Sequence, residues 1–470
     1  MEQTLLHLER AVWGWPLLLL ILGTGCWLTV RLRFLPIRRL GTALRLLGRS
    51  RSGSGVTPFG AFCTALSSTI GTGNIVGVAT ALTLGGPGAL LWMEVSAVTG
   101  MAVKYAEGFL AVRYRRTAPD GTHSGGPATY ILLGLGARWR PLAVCFAALG
   151  AAAGLCGVGT FVQVGSVMSC FTVWLERAVP AHRVIRVLGR TVPLAVLALG
   201  CLFTVGTALL VFRDLRAISR FSAVLVPVMG GLYLACCLWI LCARAGALPS
   251  VLGGILRGAV RPSAAISGGL IGTVRAGVSR GVFSNEAGLG TAPIAAAGAE
   301  GVRASEQGLI SMTASVFDTL LVCTMTGLVL LVTGSGGLGV RAAQDAFAAG
   351  LPFPPSVSRG LIVLCLALFA FTTVVGWSYY AVRCLAFLTG GSRIAERIYL
   401  TLYVLAVAAA PFFPVRSVWM AANICNGLMS VPNLLAILLL SPRLALDARD
   451  IMKSTHTIQR RPELYGSALS

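Results

Sequence analysis

The sequence predicts an all-α membrane protein: two related five-helix halves preceded by one additional N-terminal helix. Three observations carry that expectation. Of the 470 residues, 56% are hydrophobic and only 11% charged, with a mean hydropathy of +0.81, whereas soluble domains carry about 25% charged residues. About eleven apolar runs reach the ~20 residues that cross a bilayer. Two of these runs are interrupted by glycine and polar residues, and the interruptions stand roughly 215 positions apart, close to half of the chain that follows the first run.

Taken in order, the runs lie near 11–30, 58–82, 87–112, 142–175, 191–211, 221–242, 264–297, 306–333, 359–387, 396–413 and 415–440. The first, Val12 to Val30, is too long for the apolar core of a signal peptide. It is followed by Arg31, Arg33, Arg38, Arg39, Arg45, Arg49 and Arg51 instead of a cleavage site, so it is expected to be retained with its C-terminal end in the cytoplasm. An odd number of spans puts the N-terminus outside and the C-terminus in the cytoplasm. The inner loops then hold Arg113, Arg115, Arg116, Arg213, Arg216, Arg220, Arg393 and Arg397, while Arg177, Arg183, Arg186 and Arg190 fall outside. Residues 1–57 form the first helix and a basic loop, 58–242 the first repeat, 243–440 the second, and 441–470 a polar cytoplasmic tail with Arg460-Arg461. Between spans, Gly121 to Leu133 reads as an interfacial or re-entrant piece, and Arg341 to Ala349 as a short amphipathic surface helix.

Composition also excludes several functions. The net charge of +22 comes from 38 basic and 16 acidic residues, but no basic run is interleaved with aromatics on a soluble domain, as nucleic-acid binding would need. The 13 cysteines lie almost wholly in apolar runs without CxxC or Cys/His spacing, which argues against a zinc site or a disulfide framework. No HExxH motif marks an enzyme and no nucleotide-binding motif a pump, so energy has to come from an ion gradient, with no cofactor beyond the coupling ion.

The first interruption is Gly71-Thr72-Gly73-Asn74-Ile75, inside the apolar run Phe59 to Leu84. Each glycine costs about 0.8–1 kcal/mol against alanine in a helix interior. Unwound backbone survives at membrane depth only where protein or a cavity satisfies it. Two half-helices are therefore expected, the second starting near Asn74 with free N–H groups and a positive dipole end that suit a carboxylate. A close helix crossing is the alternative, since Gly-x-Gly also lets backbones touch. The second interruption, Ser284-Asn285-Glu286-Ala287-Gly288 within SRGVFSNEAGLGTAP (279–293), puts an acid at membrane depth. That costs about 2.5 kcal/mol or more, so Asn285 and Glu286 should face a cavity. Matching interruptions at the start of two halves point to a transport site near the midplane.

These stretches resemble the alanine or glycine:cation symporters (sodium:alanine symporters) of the amino acid–polyamine–organocation superfamily. The resemblance runs from about Val30 to Ser441. It rests on GTGNIVGVATALTLGGPGALLWM (71–93), SGGPATYI (124–131), GVSRGVFSNEAGLGTAP (277–293), DTLLVCTMTGLVLL (318–331), FAFTTVVGWSYY (369–380) and NGLMSVPNLLAILLLS (426–441). It implies a leucine-transporter-like fold and a symporter that imports a small neutral amino acid with Na⁺ across the bacterial cytoplasmic membrane.

For the amino acid, the first interruption offers N–H groups of Gly73 to Ile75 with the side chains of Thr72 and Asn74. The second offers carbonyls near Phe283 and Ser284 and the Asn285 amide. Gln163 and Trp377 match positions that the family places near substrate; the alternatives are an interhelical hydrogen bond for Gln163 and packing for Trp377. For Na⁺, which wants several hard oxygens, the resemblance pairs Thr372 and Thr373 with carbonyls freed around Ser68 to Gly71. Back-bonding of the threonines to their own helix is the alternative. Glu107 and Asp318 match family acids with a structural or gating role, Glu107 pairing with Lys104 at i−3. Glu94 stands where the family has an aromatic; it needs a partner or a proton. Thr160 and Gly165 replace family asparagines, Val382 a glutamate and Asn423 an aspartate. These departures leave altered specificity, H⁺ coupling and a non-transporting sensor as alternatives.

Overall fold

The computed structural model describes residues 2–48, 55–118, 122–179, 183–187, 190–261, 268–337, 339–413 and 415–453. Arg49, Arg51, Gly121, Arg460 and Arg461 lie outside the described residues.

The chain opens with α1 (Glu2–Val12) and α2 (Trp15–Arg31), then turns through Arg33 and Phe34 at positive φ into the short α3 (Leu35–Arg38) and α4 (Leu40–Gly48). The first interrupted span follows as α5 (Pro58–Thr69) and α6 (Val76–Gly85), bent by 60° across the break. Thr57 starts α5: its hydroxyl accepts from the Gly60 N–H at 3.0 Å, and Pro58 fills the first helical position, where no N–H is needed. The long α7 (Gly88–Arg113) leads into a two-stranded hairpin, β1 (Arg116–Thr117) and β2 (His123–Ser124), and then α8 (Pro127–Leu135). Next come α9 (Arg140–Cys156), α10 (Phe161–Ala178), the hairpin β3 (Val184–Val187) and β4 (Arg190–Pro193), α11 (Leu194–Val211) and α12 (Leu215–Ala243). The Asp214 carboxylate caps α12 by accepting from Ala217 N–H at 3.0 Å.

The remaining helices are α13 (Leu248–Val260), α14 (Gly269–Asn285), α15 (Ala292–Ala296), α16 (Ala304–Ser315), α17 (Thr324–Thr333), α18 (Val340–Gly350), α19 (Pro355–Thr389), α20 (Arg393–Ala409) and α21 (Val415–Lys453). A π-helical turn, Val316–Cys323, joins α16 to α17. The mostly helical chain is a multi-pass membrane protein: eight helices are long and apolar enough to cross a bilayer, nine with the bent pair, among the described residues. The expected runs 87–112 and 264–297 are not among them: α7 carries Glu94, Lys104, Glu107 and Arg113, and α14 is only 17 residues long before the chain breaks at Asn285. Within these runs Lys104 and Glu107 nevertheless lie inside the protein, 0% exposed, as do Asn285 at 1% and Glu286 at 2%. Polar groups at membrane depth are tolerated on such faces.

Two expectations change. The run 142–175 is two helices, α9 and α10, with a break at residues 157–160. The tail expected from residue 441 begins inside α21, which continues to Lys453. Of the piece expected at 121–133, the described residues 122–133 form the end of the β1–β2 hairpin and most of α8, whose Tyr130 and Ile131 are fully buried in the bundle. The surface helix expected at 341–349 is α18, with Gln344 buried and donating to the Cys170 carbonyl at 2.7 Å.

One continuous apolar core runs from Trp13 to Leu444. Within it α7 packs on α16 so closely that a Cβ on Gly108 would lie 2.9 Å from the Gln307 carbonyl, so glycine is required there. On the outside, α11 and α20 expose Leu202, Val205, Leu209, Ile398, Leu402 and Leu405, as bilayer-facing helices do.

Candidate functional site

Three helix breaks converge in the interior. In the first, Ile70 and Gly71 are extended, Thr72–Asn74 make one 3₁₀ turn, and α6 resumes at Val76. Asn74 holds the turn: its Oδ1 accepts from Gly71 N–H at 2.9 Å, and its amide donates to Asp318 Oδ1 at 2.8 Å. The Thr72 N–H donates to Gln163 Oε1 at 3.1 Å, while the buried Thr72 hydroxyl has no partner among the described residues. A Cβ on Gly71 would stand 2.7 Å from Thr373 Oγ1 and 3.0 Å from Gln163 Oε1. Only glycine lets this strand pass between α10 and α19. A Cβ on Gly73 would lie 3.3 Å from the Phe283 ring and 3.6 Å from Ser284 Cα, so the first break rests directly on the second.

In the second break, α14 ends at Asn285, and Glu286 takes the left-handed conformation (φ 53°). A non-glycine residue held there costs on the order of 1–3 kcal/mol and needs support from its surroundings. Glu286 has that support: Oε1 accepts from the Trp377 indole N–H at 3.1 Å and Oε2 from the Thr291 hydroxyl at 2.5 Å. Asn285 donates to Thr319 Oγ1 at 3.2 Å and accepts from Ala287 N–H at 2.9 Å. These bonds tie both residues to neighbouring groups at the break.

The freed N–H groups of Gly288 and Gly290 donate to Glu107 Oε1 at 3.2 and 3.1 Å. Asn433 braces the same carboxylate at 2.8 Å and the Gly288 carbonyl at 2.9 Å, and receives a hydrogen bond from the Tyr130 hydroxyl on α8. The expected Lys104–Glu107 pair is therefore not formed, because Glu107 instead seats the unwound backbone. Lys104 Nζ is fully buried with no hydrogen-bond partner or ion pair among the described residues.

The third break, Gly157 to Thr160, was not expected. The Tyr403 hydroxyl lies 2.6 Å from the Gly159 carbonyl and 2.7 Å from that of Val374, while Thr160 Oγ1 donates to the Leu155 carbonyl at 2.7 Å. This break sets Gln163 in the first turn of α10, against Thr72.

Asp318 ties the first two breaks together. Its carboxylate accepts from Asn74, from Ser284 Oγ at 2.9 Å and from Thr319 Oγ1 at 2.8 Å. Charge-assisted bonds of this kind are about twice as strong as neutral ones. Cys323, at the end of the same π turn, lies 3.4 Å from the Asn74 amide and 3.2 Å from Ser284 Oγ. π turns often occur at functional sites, and nothing in the composition of residues 316–323 announces this one.

A cluster of hard oxygens lies beside the first break. Thr373 Oγ1 is 3.1 Å from the Ser67 carbonyl, 3.2 Å from that of Ile70 and 2.9 Å from that of Phe369. Thr372 Oγ1 donates to the Phe369 carbonyl at 2.9 Å and touches Met229 Sδ on α12 at 3.5 Å. The two threonines are thus unequal: Thr373 faces the broken helix and Thr372 faces α12. The carbonyls involved are those of Ser67 and Ile70, while the Gly71 carbonyl closes the 3₁₀ turn on Asn74 N–H at 3.3 Å. The Phe369 carbonyl carried no sequence signal, since any residue has one. Trp377, one turn beyond Thr373, is 1% exposed.

Among the departures, Asn423 donates to Glu9 Oε1 at 2.5 Å, and its carbonyl accepts from the Trp13 indole at 2.9 Å, binding α21 to the N-terminal helices. Glu94 is partly buried on α7 and meets the Thr324 hydroxyl. Val382 is buried.

Residues 1–464 match the pattern described as the Sodium:alanine symporter family. A sodium/alanine symporter of Methanococcus maripaludis is 40% identical over 440 residues, covering 92% of both chains. A probable sodium/glutamine symporter of Bacillus subtilis is 32% identical, covering 94% of this chain and 89% of its own. In shape, the crystal structure of MhsT in complex with L-phenylalanine aligns with a TM-score of 0.53 at 13% identity, covering 85% of this chain and 99% of that one. The architecture is leucine-transporter-like.

Proposed function

The chain belongs to the sodium:alanine symporter family, which comprises transporters and not enzymes, and on that premise we propose that it imports a small neutral amino acid together with Na⁺ by alternating access. The observation that carries the reading is the strand Gly71–Asn74, which touches Gln163 and Thr373 on one side and Phe283 and Ser284 on the other. The substrate carboxylate competes with Gln163 Oε1 for the Thr72 N–H and uses Thr72, Gly73 and Asn74. The ammonium turns to the carbonyls freed near Ser284 and Asn285, with Phe283 and Trp377 as apolar walls. Na⁺ takes the oxygens of Thr372, Thr373, Ser67, Ile70 and Phe369, a donor set that suits a hard cation. Because the ion joins α5 to α19 beside the same strand, ion and substrate favour the same closed arrangement, which is what coupling requires. Arg113, Arg115, Arg116, Arg213, Arg216 and Arg220 favour a cytoplasmic position for their loops in the bacterial inner membrane, with the N-terminus outside.

The test is uptake into proteoliposomes. An inward Na⁺ gradient is expected to drive saturable accumulation of alanine or glycine that a Na⁺ ionophore abolishes. Uptake indifferent to the gradient would overturn the coupling, and accumulation driven only by a proton gradient would assign H⁺ instead. A second reading of specificity rests on Thr160 and Gly165, which stand where the family resemblance places asparagines on either side of Gln163. A Thr160→Asn, Gly165→Asn double variant then shifts preference from larger substrates toward alanine and glycine. An unchanged ranking of competitors would put both residues outside the pocket.

A further inference from the structure

At the arginine-rich end of the bundle, α7 and α21 leave between them a cavity of about 290 Å³ lined by Phe109, Leu110, Arg113, Tyr114, Arg443 and Leu446. Its floor is apolar, with Phe109 and Leu110 almost wholly buried, and Leu446 stands 62% exposed at the rim. Two guanidiniums share this space, and the described residues that line it include no carboxylate. Arg113, in the last turn of α7, has no ion pair among the described residues. Arg443 Nη1 donates to the Tyr114 hydroxyl at 2.5 Å and reaches the Gly134 carbonyl at 3.4 Å, both neutral groups. A third arginine approaches the same stretch of α21: Arg31 Nε lies 3.4 Å from the Ser441 carbonyl and its guanidinium stacks over Trp27 at 5.4 Å.

Two guanidiniums beside an apolar wall, at the polar edge of the bilayer, suit an anion whose remainder is hydrocarbon. We propose that this cavity binds the phosphate of an anionic phospholipid, with Arg113 and Arg443 on the phosphate oxygens and an acyl chain along Leu446 and the neighbouring faces of α7 and α21. Guanidinium geometry matches phosphate through paired N–H donors. A freely soluble phosphate would use the arginines but gain nothing from the apolar wall. Because Arg443 also holds α8 through Gly134, a bound headgroup braces α7, α8 and α21 together, and α8 carries Tyr130 to Asn433 beside the second break.

The experiment is native mass spectrometry of the full chain with phosphatidylglycerol, phosphatidylcholine or inorganic phosphate added. Wild type is expected to retain phosphatidylglycerol at least tenfold over phosphatidylcholine, and millimolar inorganic phosphate is expected not to displace it. An Arg113→Gln, Arg443→Gln double variant should retain the two lipids equally. Leu446→Trp, which keeps both charges and fills the cavity, should lose phosphatidylglycerol as well, and it decides the matter should the arginine variant not fold. Equal retention of both lipids by wild type, or undiminished phosphatidylglycerol on either folded variant, overturns the proposal. Displacement by inorganic phosphate overturns it in favour of a soluble-anion site.

Discussion

At the scale of single residues, the two adjacent threonines of α19 have different surroundings, and their substitutions should separate. Thr373 Oγ1 reaches two carbonyls of the broken helix, whereas Thr372 reaches only Phe369 on its own helix and a methionine of α12. Replacing a hydroxyl by a methyl removes an oxygen ligand worth about 1–2 kcal/mol, a factor of roughly 5–30. Thr373→Val should therefore raise the Na⁺ concentration for half-maximal uptake by about that factor, and Thr372→Val by much less. Equal shifts in a Na⁺ titration would show that the broken-helix carbonyls take no part. Gly73 offers a second test. Its missing Cβ faces the Phe283 ring at 3.3 Å, so Gly73→Leu should abolish binding of labelled substrate while the protein still inserts and purifies as wild type. Near-normal affinity in that variant would make the first break a packing device.

Among the elements, the third break is the one most open to direct perturbation. Tyr403 lies within hydrogen-bond reach of carbonyls from both the break and α19, and its single hydroxyl proton serves one of them at a time. Tyr403→Phe leaves buried carbonyls short of a donor, at a cost of about 1–3 kcal/mol. The melting temperature in detergent should fall, and an unchanged value would show that the break satisfies itself. This element also shows what the sequence could and could not reveal. Gly-Thr-Gly-Asn was legible because two glycines surround polar groups in an apolar run. Gly157-Val158-Gly159-Thr160 carries nearly the same signal, but Val158 and the flanking alanines kept the run apolar enough to pass as continuous. The π turn was not legible at all, since an extra residue in a helical turn depends on packing rather than composition. The Lys104–Glu107 pairing followed correctly from helical spacing and still failed. Spacing says which residues share a face, but not that the unwound backbone of another helix will offer Glu107 better donors.

Over the whole molecule, a few polar contacts tie the arginine-rich end together. Arg115 Nη1 lies 2.5 Å from the Ala299 carbonyl and 3.4 Å from that of Ala297, the Glu300 N–H donates to the Val56 carbonyl at 2.9 Å, and Arg216 stands 3.9 Å from Glu300. That last ion pair is exposed and contributes little, so the Arg115 contacts are the ones to cut. Hydrogen bonds from a charged group are worth about 1.5–3 kcal/mol, and Arg115→Ala should raise the open population at this end roughly ten- to hundredfold. The readout is already in the chain. Cys323 is 0% exposed and sits against Asn74 and Ser284, one residue from each of the first two breaks. A maleimide can reach it only in molecules whose two breaks have parted, so its alkylation rate, resolved from the other thiols by peptide mapping, follows the fraction of time the protein spends open. Saturating Na⁺ and substrate should slow that reaction in the native protein and Arg115→Ala should speed it, with no reporter introduced by mutation. A rate unmoved by either would mean that the breaks stay in contact throughout the cycle.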